Sequence, residues 1–370
     1  MTKKYYFLFF LSLLLLSCNN QRIFYSLEDV SILINFNSIE IKEDNLQLGS
    51  IRFIPLETTD EFLIGHASKV LIKNGRIYVG DFISAHALFV FNMEGEALFR
   101  IARRGQGPGE YLSFTDFDVH DNGDIYIYDH HGGKFLVFCP MGEFQWEFRI
   151  DYHMMHFSLV GDKMYQSILW RGAGEHFANL AVFDLTSRRM TPLITDEISL
   201  LRLPFHASMF NFFRSGNRIF YAPKLSPIIY SIDENGVYPA IGIKNLPMPP
   251  EGVLNRWVRE GQSNPEDRYF VEIVHIYEVG GHIVFNIILG GFRQRSVILN
   301  KRTKSAFITF DFFRKIGAMS PQGSTGKEFF SAIMFDSYNW AHADILNSRE
   351  ELINWQEDDN PVIAIFSLDM

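Results

Sequence analysis

The chain has 370 residues, of which 47% are hydrophobic, 15% aromatic and 21% charged, with 36 Phe, 27 Gly and 14 Pro. This is the composition of a folded protein rather than a disordered or collagen-like one, and the length fits a single large all-β domain. A net charge of -9 excludes a general electrostatic grip on nucleic acid, and two Cys exclude a disulfide scaffold.

The first segment reads as an address. Lys3 and Lys4 precede an apolar run from Tyr5 to Leu16. That run falls short of the roughly 20 residues of a membrane helix and has the pattern of a secretory signal. It ends Leu15-Leu16-Ser17-Cys18, which resembles a bacterial lipobox. The resemblance implies a signal peptide over 1–17, cleavage before Cys18, and acylation of Cys18 as the link to a lipid bilayer. Several acyl chains anchor durably where one binds marginally. Residues 18–27 then read as a tether and 28–370 as the folded part. Cleavage removes Lys3 and Lys4 and takes the net charge from -9 to -11. Residues 19–22 lack the acidic cluster that often marks surface-displayed lipoproteins, so the expected location is the outer membrane, facing the periplasm. Cys139 is then the remaining thiol, and its apolar neighbours predict a small buried hydrophobe.

Past the tether the sequence repeats. Asn74-Gly75-Arg76-Ile77-Tyr78-Val79-Gly80-Asp81 returns as Asn122-Gly123-Asp124-Ile125-Tyr126-Ile127-Tyr128-Asp129, an offset of 48; Leu88-Phe89-Val90-Phe91 returns as Phe135-Leu136-Val137-Phe138, an offset of 47. Weaker copies begin near Gly161, Gly216 and Gly280. Short β-branched and aromatic runs bounded by Gly, Asn and Asp predict strands joined by tight turns. A unit of about four strands and a period near 45–55 residues predicts a β-propeller. Strands are expected at 30–36, 51–56 and 361–368, all in one closing blade, which removes the unpaired edges of an open ring. Residues 247–267 predict a loop with a short helix, and residues 340–355 a helix on the last blade.

Specific stretches strengthen this reading. Ile54-Pro55-Leu56-Glu57-Thr58, Gly105-Gln106-Gly107-Pro108-Gly109-Glu110-Tyr111 and Asp358-Asp359-Asn360-Pro361-Val362 resemble the six-bladed β-propeller lipoproteins of Bacteroidetes, which are NHL-like in blade pattern. The resemblance implies a six-bladed ring of four-stranded antiparallel blades with short helical insertions, and lipoprotein status. It implies no catalytic residues.

Propeller geometry puts the loops between blades, and those between the second and third strands of each blade, on one face. That mapping nominates His86, Arg103, Arg104, Glu110, Tyr111, His131, Trp170 and Arg171 as ligand-binding residues. Tyr111, Tyr152 and Trp170 are expected on loops, where they would stack on sugar rings. Replacing Arg104, Tyr111 and Trp170 by Ala is then expected to leave thermal unfolding nearly unchanged. The glycines of 105–109 read either as a cradle of backbone N–H groups for an anion or as a turn whose Glu110 pairs an arginine. His130, His153 and His156 are the candidate ligands for zinc, and channel Asp and Asn for calcium, although solvated loop histidines are the simpler reading. Asp81 and Asp129 recur at equivalent places and read as turn-forming carboxylates. The function expected is a binding module, for a glycan or an envelope protein, rather than an enzyme. The alternatives are a metal-dependent hydrolase or lyase acting in the channel, and a scaffold in an envelope complex.

Overall fold

The computed structural model describes residues 25–42, 47–152, 154–168, 180–194, 211–260, 266–309, 320–335, 352 and 354–369. Cys18 and most of 340–355 lie outside them.

Three strands come first: β1 (Ile32–Asn35), β2 (Glu40–Ile41) and β3 (Gln47–Pro55). Antiparallel meanders follow. The first is β4 (Lys69–Lys73), β5 (Arg76–Asp81), β6 (Ala87–Asn92) and β7 (Ala97–Ile101); the second is β8 (Phe114–Val119), β9 (Ile125–Asp129), β10 (Lys134–Phe138) and β11 (Phe144–Arg149). The third is β12 (Met154–Val160), β13 (Lys163–Ile168), β14 (Leu180–Asp184) and β15 (Met190–Ile194); next come β16 (Phe212–Ser215), β17 (Arg218–Tyr221), β18 (Ile228–Asp233) and β19 (Gly236–Lys244). Helix α1 (Glu251–Glu260) intervenes, inside the segment where the sequence predicts one. Then follow β20 (Phe270–Val279), β21 (His282–Leu289), β22 (Arg293–Asn300) and β23 (Ala306–Thr309), and last β24 (Gly323–Ser324), β25 (Phe329–Ile333) and β26 (Val362–Asp369).

Turn chemistry sets the hairpins. Between β4 and β5, Asn74 and Gly75 take φ values of 52° and 69°, the paired left-handed residues of a type I′ turn. The 47- and 48-residue offsets correspond to the β5–β6 and β9–β10 hairpins of adjacent sheets. Those inner strands are buried on both faces, because each sheet is sandwiched between two others. The edge strands β7 and β11 carry exposed positions. This is where the phenylalanines go. One apolar cluster joins the first sheet to the second through Leu88, Phe114, Phe117 and Phe138. Another joins the second to the third through Phe135 and Phe157, whose rings meet edge-on with centroids 5.0 Å apart.

The chain ends meet. β26 runs antiparallel to β3, with Ile363 opposite Ile54 and Val362 opposite Pro55, as the sequence predicts. β1 departs from expectation. It does not join that sheet but adds in parallel to the outer edge of β19, Ile32 opposite Ile241 and Ile34 opposite Ile243. The buried faces of Ile32 and Ile34 complete the apolar margin of that sheet. β2 adds in parallel to β23 in the same way. The single pair Ser215 and Ser324 links β16 to β24, so two meanders form one nine-stranded sheet. The first strands touch in a closed cycle, β4 to β8, β12, β16, β20, β24 and back to β4. They enclose a central channel.

Candidate functional site

Two carboxylates define one face of the ring. Asp81, at the end of β5, accepts the N–H groups of Gly65 (2.9 Å) and His66 (3.0 Å) on one oxygen and those of Ile83 (3.1 Å) and Ser84 (2.7 Å) on the other. Asp129, at the end of β9, does the same for Leu112, Ser113 and Gly132, each at 2.9 Å. Both are fully buried. Each thus ties the loop entering its sheet to the loop between the second and third strands, and the two kinds of loop share a face.

The nominated residues fall unevenly on that face. Arg103 and Arg104 are exposed, as is His131, whose N–H donates to Ser113 Oγ at 2.9 Å. His86 is half-buried and takes φ 49°. Tyr111 is not on the surface. Its ring is fully buried, and its hydroxyl lies 2.7 Å from the His86 carbonyl and 3.1 Å from that of Ile101. Burial pushes its phenol up to about 12. Tyr152 is buried too, its hydroxyl donating to Gln166 Oε1 at 2.7 Å. Trp170, Arg171 and His153 lie outside the described residues. The glycine loop does hold anions, but two of the protein's own: Gly107 N–H donates to Glu110 Oε2 at 2.8 Å and Gly109 N–H to Oε2 of Glu147, on β11, at 3.2 Å. A Cβ on Gly105 would collide with the Glu110 carboxylate. The same loops leave aliphatic side chains uncovered: Leu63 is 53% exposed, Ile83 54% and Leu112 40%.

A second constellation sits in the channel. Strand periodicity places Asp116 and Asp118 of β8 on one side and Phe117 and Val119 on the other. Apart from the Ser215–Ser324 pair, the innermost strands of the described residues are not laddered to one another, and side chains bridge their edges. Lys69 donates to Asp116 Oδ1 and to the Phe117 carbonyl, and Lys73 to the Val119 carbonyl, each at 2.7 Å. Asp116 accepts Phe157 N–H at 3.0 Å, and Asp118 accepts Leu159 N–H at 2.8 Å. Arg214 Nη2 reaches Asp118 Oδ2 and the Leu159 carbonyl, both at 2.7 Å. Ser215 Oγ accepts Glu278 N–H at 2.9 Å, and Ser324 Oγ donates to the Glu278 carbonyl at 2.8 Å.

The electrostatics follow the contacts. Burial alone would raise both carboxyls. The Arg214, Lys69 and Lys73 charges outweigh it and hold Asp118 at about 2. Lys69 and His156 hold Asp116 below the usual range. His156, one of the candidate zinc ligands, lies against Asp116, Nδ1 to Oδ2 3.5 Å. His130 packs against the rings of Tyr128 and His131. Among the described residues no three His, Cys, Asp or Glu side chains converge as a metal site. The cluster borders a cavity of about 110 Å³ lined from all the first strands, including Lys69, Asp118, Ser158, Arg214, His275 and Gln322. Sequence reading passed over these residues. The one available signal was Asp116-x-Asp118, two acidic residues on the same face of an otherwise apolar strand.

A ring of four-stranded antiparallel sheets around a polar channel defines a β-propeller. The model of a domain of unknown function, DUF4934, matches residues 31–367, and the chain belongs to that family. Among solved structures, a protein of Bacteroides fragilis assigned as exported is similar at 18% identity, over 92% of this chain and 99% of its own, with a TM-score of 0.73. A DUF4221 member from Bacteroides vulgatus is similar at 12% identity, over 88% of this chain and 98% of its own, with a TM-score of 0.51. At these identities the likeness is one of fold. No curated protein matches the chain in sequence.

Proposed function

We propose that this chain is an exported, lipid-anchored propeller of six blades that acts as a recognition module for an envelope protein. The count of six divides the nine-stranded sheet at its single Ser215–Ser324 pair, which gives one blade to each of the first strands in the closed cycle. The anchor rests on the signal-like residues 1–17 and on Cys18. Among the described residues no helix is long and apolar enough to cross a membrane. Changing Cys18→Ser is expected to move the protein from the membrane fraction to the soluble one.

The observation that carries the reading is the loop face. Asp81 and Asp129 pin loops that expose Leu63, Ile83 and Leu112, and the segment after β7 exposes Arg103 and Arg104. Loops fixed to a rigid scaffold are where binding residues collect. Uncovered aliphatic side chains and arginines resemble the composition of protein interfaces. Of the aromatic side chains expected to stack on sugar rings, Tyr111 and Tyr152 are committed to the core, and Trp170 lies outside the described residues. The test is a photo-cross-linking residue at Ile83 or Leu112 of the full-length lipoprotein in its native host, with Met190, exposed on the edge strand β15, as the control. A discrete protein adduct from the two loop positions and none from Met190 supports the reading. Equal labelling from all three, or none, contradicts it.

A further inference from the structure

We propose that the channel cavity is a separate binding site, for a short carboxylate with a planar anionic head and a few aliphatic carbons. The inference comes from counting donors and acceptors. The acceptors are spent. Asp116 receives Lys69 Nζ, Phe117 N–H and Phe157 N–H, and Asp118 receives Val119 N–H, Ser158 Oγ–H, Leu159 N–H and Arg214 Nη2. Both carboxylates are matched in charge by Lys69 and Arg214, so they do not repel a further anion as bare charges would.

The donors are not spent. Arg214 makes its protein contacts through Nη2; its Nη1 and Nε have no partner among the described residues. The Gln322 Oε1 accepts Ala332 N–H at 2.8 Å, while its amide nitrogen has no partner among the described residues. His275 lines the cavity with part of its surface, and its enclosed Nδ1 is also without a partner. A guanidinium edge with two nitrogens unused matches a carboxylate head in a two-point contact. The lining also carries apolar side chains, Val70, Leu71, Phe213 and Phe330. They suit a short hydrocarbon chain. A volume of about 110 Å³ limits the occupant. That space suits an occupant of a few heavy atoms, the size of propionate.

The test uses the full mature chain and three probes at equal ionic strength: propionate, its neutral isostere propionamide, and inorganic phosphate. Heteronuclear NMR of the His275 ring and the Arg214 Nε reads the site directly. The expected result is a saturable shift of both signals with propionate alone, a matching rise in melting temperature, and at least a tenfold loss of affinity in Arg214→Lys. If that variant does not fold, the wild-type spectra decide. No saturable shift with propionate, an equal shift with propionamide, or a shift with phosphate instead would overturn the assignment.

Discussion

Arg214 Nη2 and Asp118 Oδ2 stand 2.7 Å apart in the channel, from first strands of different sheets. Asp118 is 2% exposed at its side chain and Arg214 13%, so both charges are largely withdrawn from bulk water. Breaking such a pair from one side leaves the other charge uncompensated, at a cost of about 3–5 kcal/mol. Asp118→Ala should therefore cost that much in urea unfolding, and more than Arg52→Ala, whose pair with Glu328 is half in solvent. A loss for Asp118→Ala below about 1 kcal/mol would mean that the channel cluster does not hold the ring together.

The same groups set an acid limit in two stages. His275 is lowered to about 4 by burial, below its ordinary 6.5, so its neutral form supports folding. That contribution is complete above pH 6.5 and is lost as pH falls towards 4. Asp118 is held at about 2 against an ordinary 3.8. Its contribution is complete above 3.8 and is lost as pH falls through 2, roughly 2 kcal/mol for a shift of that size. Unfolding midpoints measured from pH 7 to 2 should fall in both windows. His275→Asn should flatten the upper one; Asn accepts the φ of 54° at this position. Identical profiles for the variant and the parent would contradict the assignment.

Asp81→Ala and Asp129→Ala each remove a buried acceptor shared by two loops. We expect about 2–4 kcal/mol of destabilisation from each, since several N–H groups lose their partner at once. Limited proteolysis should begin in residues 63–66 for the first variant and 111–113 for the second. Cleavage elsewhere, with these loops intact, would argue against the carboxylates as loop anchors.

Tyr111 separates packing from hydrogen bonding. Tyr111→Phe keeps the ring and strands the His86 and Ile101 carbonyls, costing about 1–2 kcal/mol. Tyr111→Ala opens a cavity in the core between the first two sheets, costing about 3–5 kcal/mol. Thermal unfolding distinguishes them. Equal, small effects from both would place this side chain at the surface, as the sequence reading did.

What the sequence made legible was local. The 47- and 48-residue offsets exist because the β5–β6 and β9–β10 hairpins solve the same problem twice, with the same turns and the same terminal Asp. The closing pair β3–β26 was legible from its apolar strand patterns. The channel cluster was not, because Asp118 acquires its meaning only from Leu159 and Arg214, which no local pattern connects to it. Tyr111 looked like a loop aromatic, and only the loop of His86 folding over it makes it core. β1 was assigned to the closing sheet, yet an apolar edge strand carries no mark of which sheet margin it will cover. The glycine loop read either as a socket for an anion or as a turn held by Glu110; in the structure Glu110 turns back and accepts the loop's own Gly107 N–H.

The loop face is tested most directly by co-purification from detergent-solubilised envelopes of the native host, comparing the parent with an Ile83→Asp, Leu112→Asp double variant. Both substitutions sit on exposed side chains, so the melting temperature should stay within a few degrees of the parent. The predicted result is a stoichiometric partner protein with the parent and none with the variant. A partner retained in full by the variant, or a parent that purifies alone, would contradict recognition through this face.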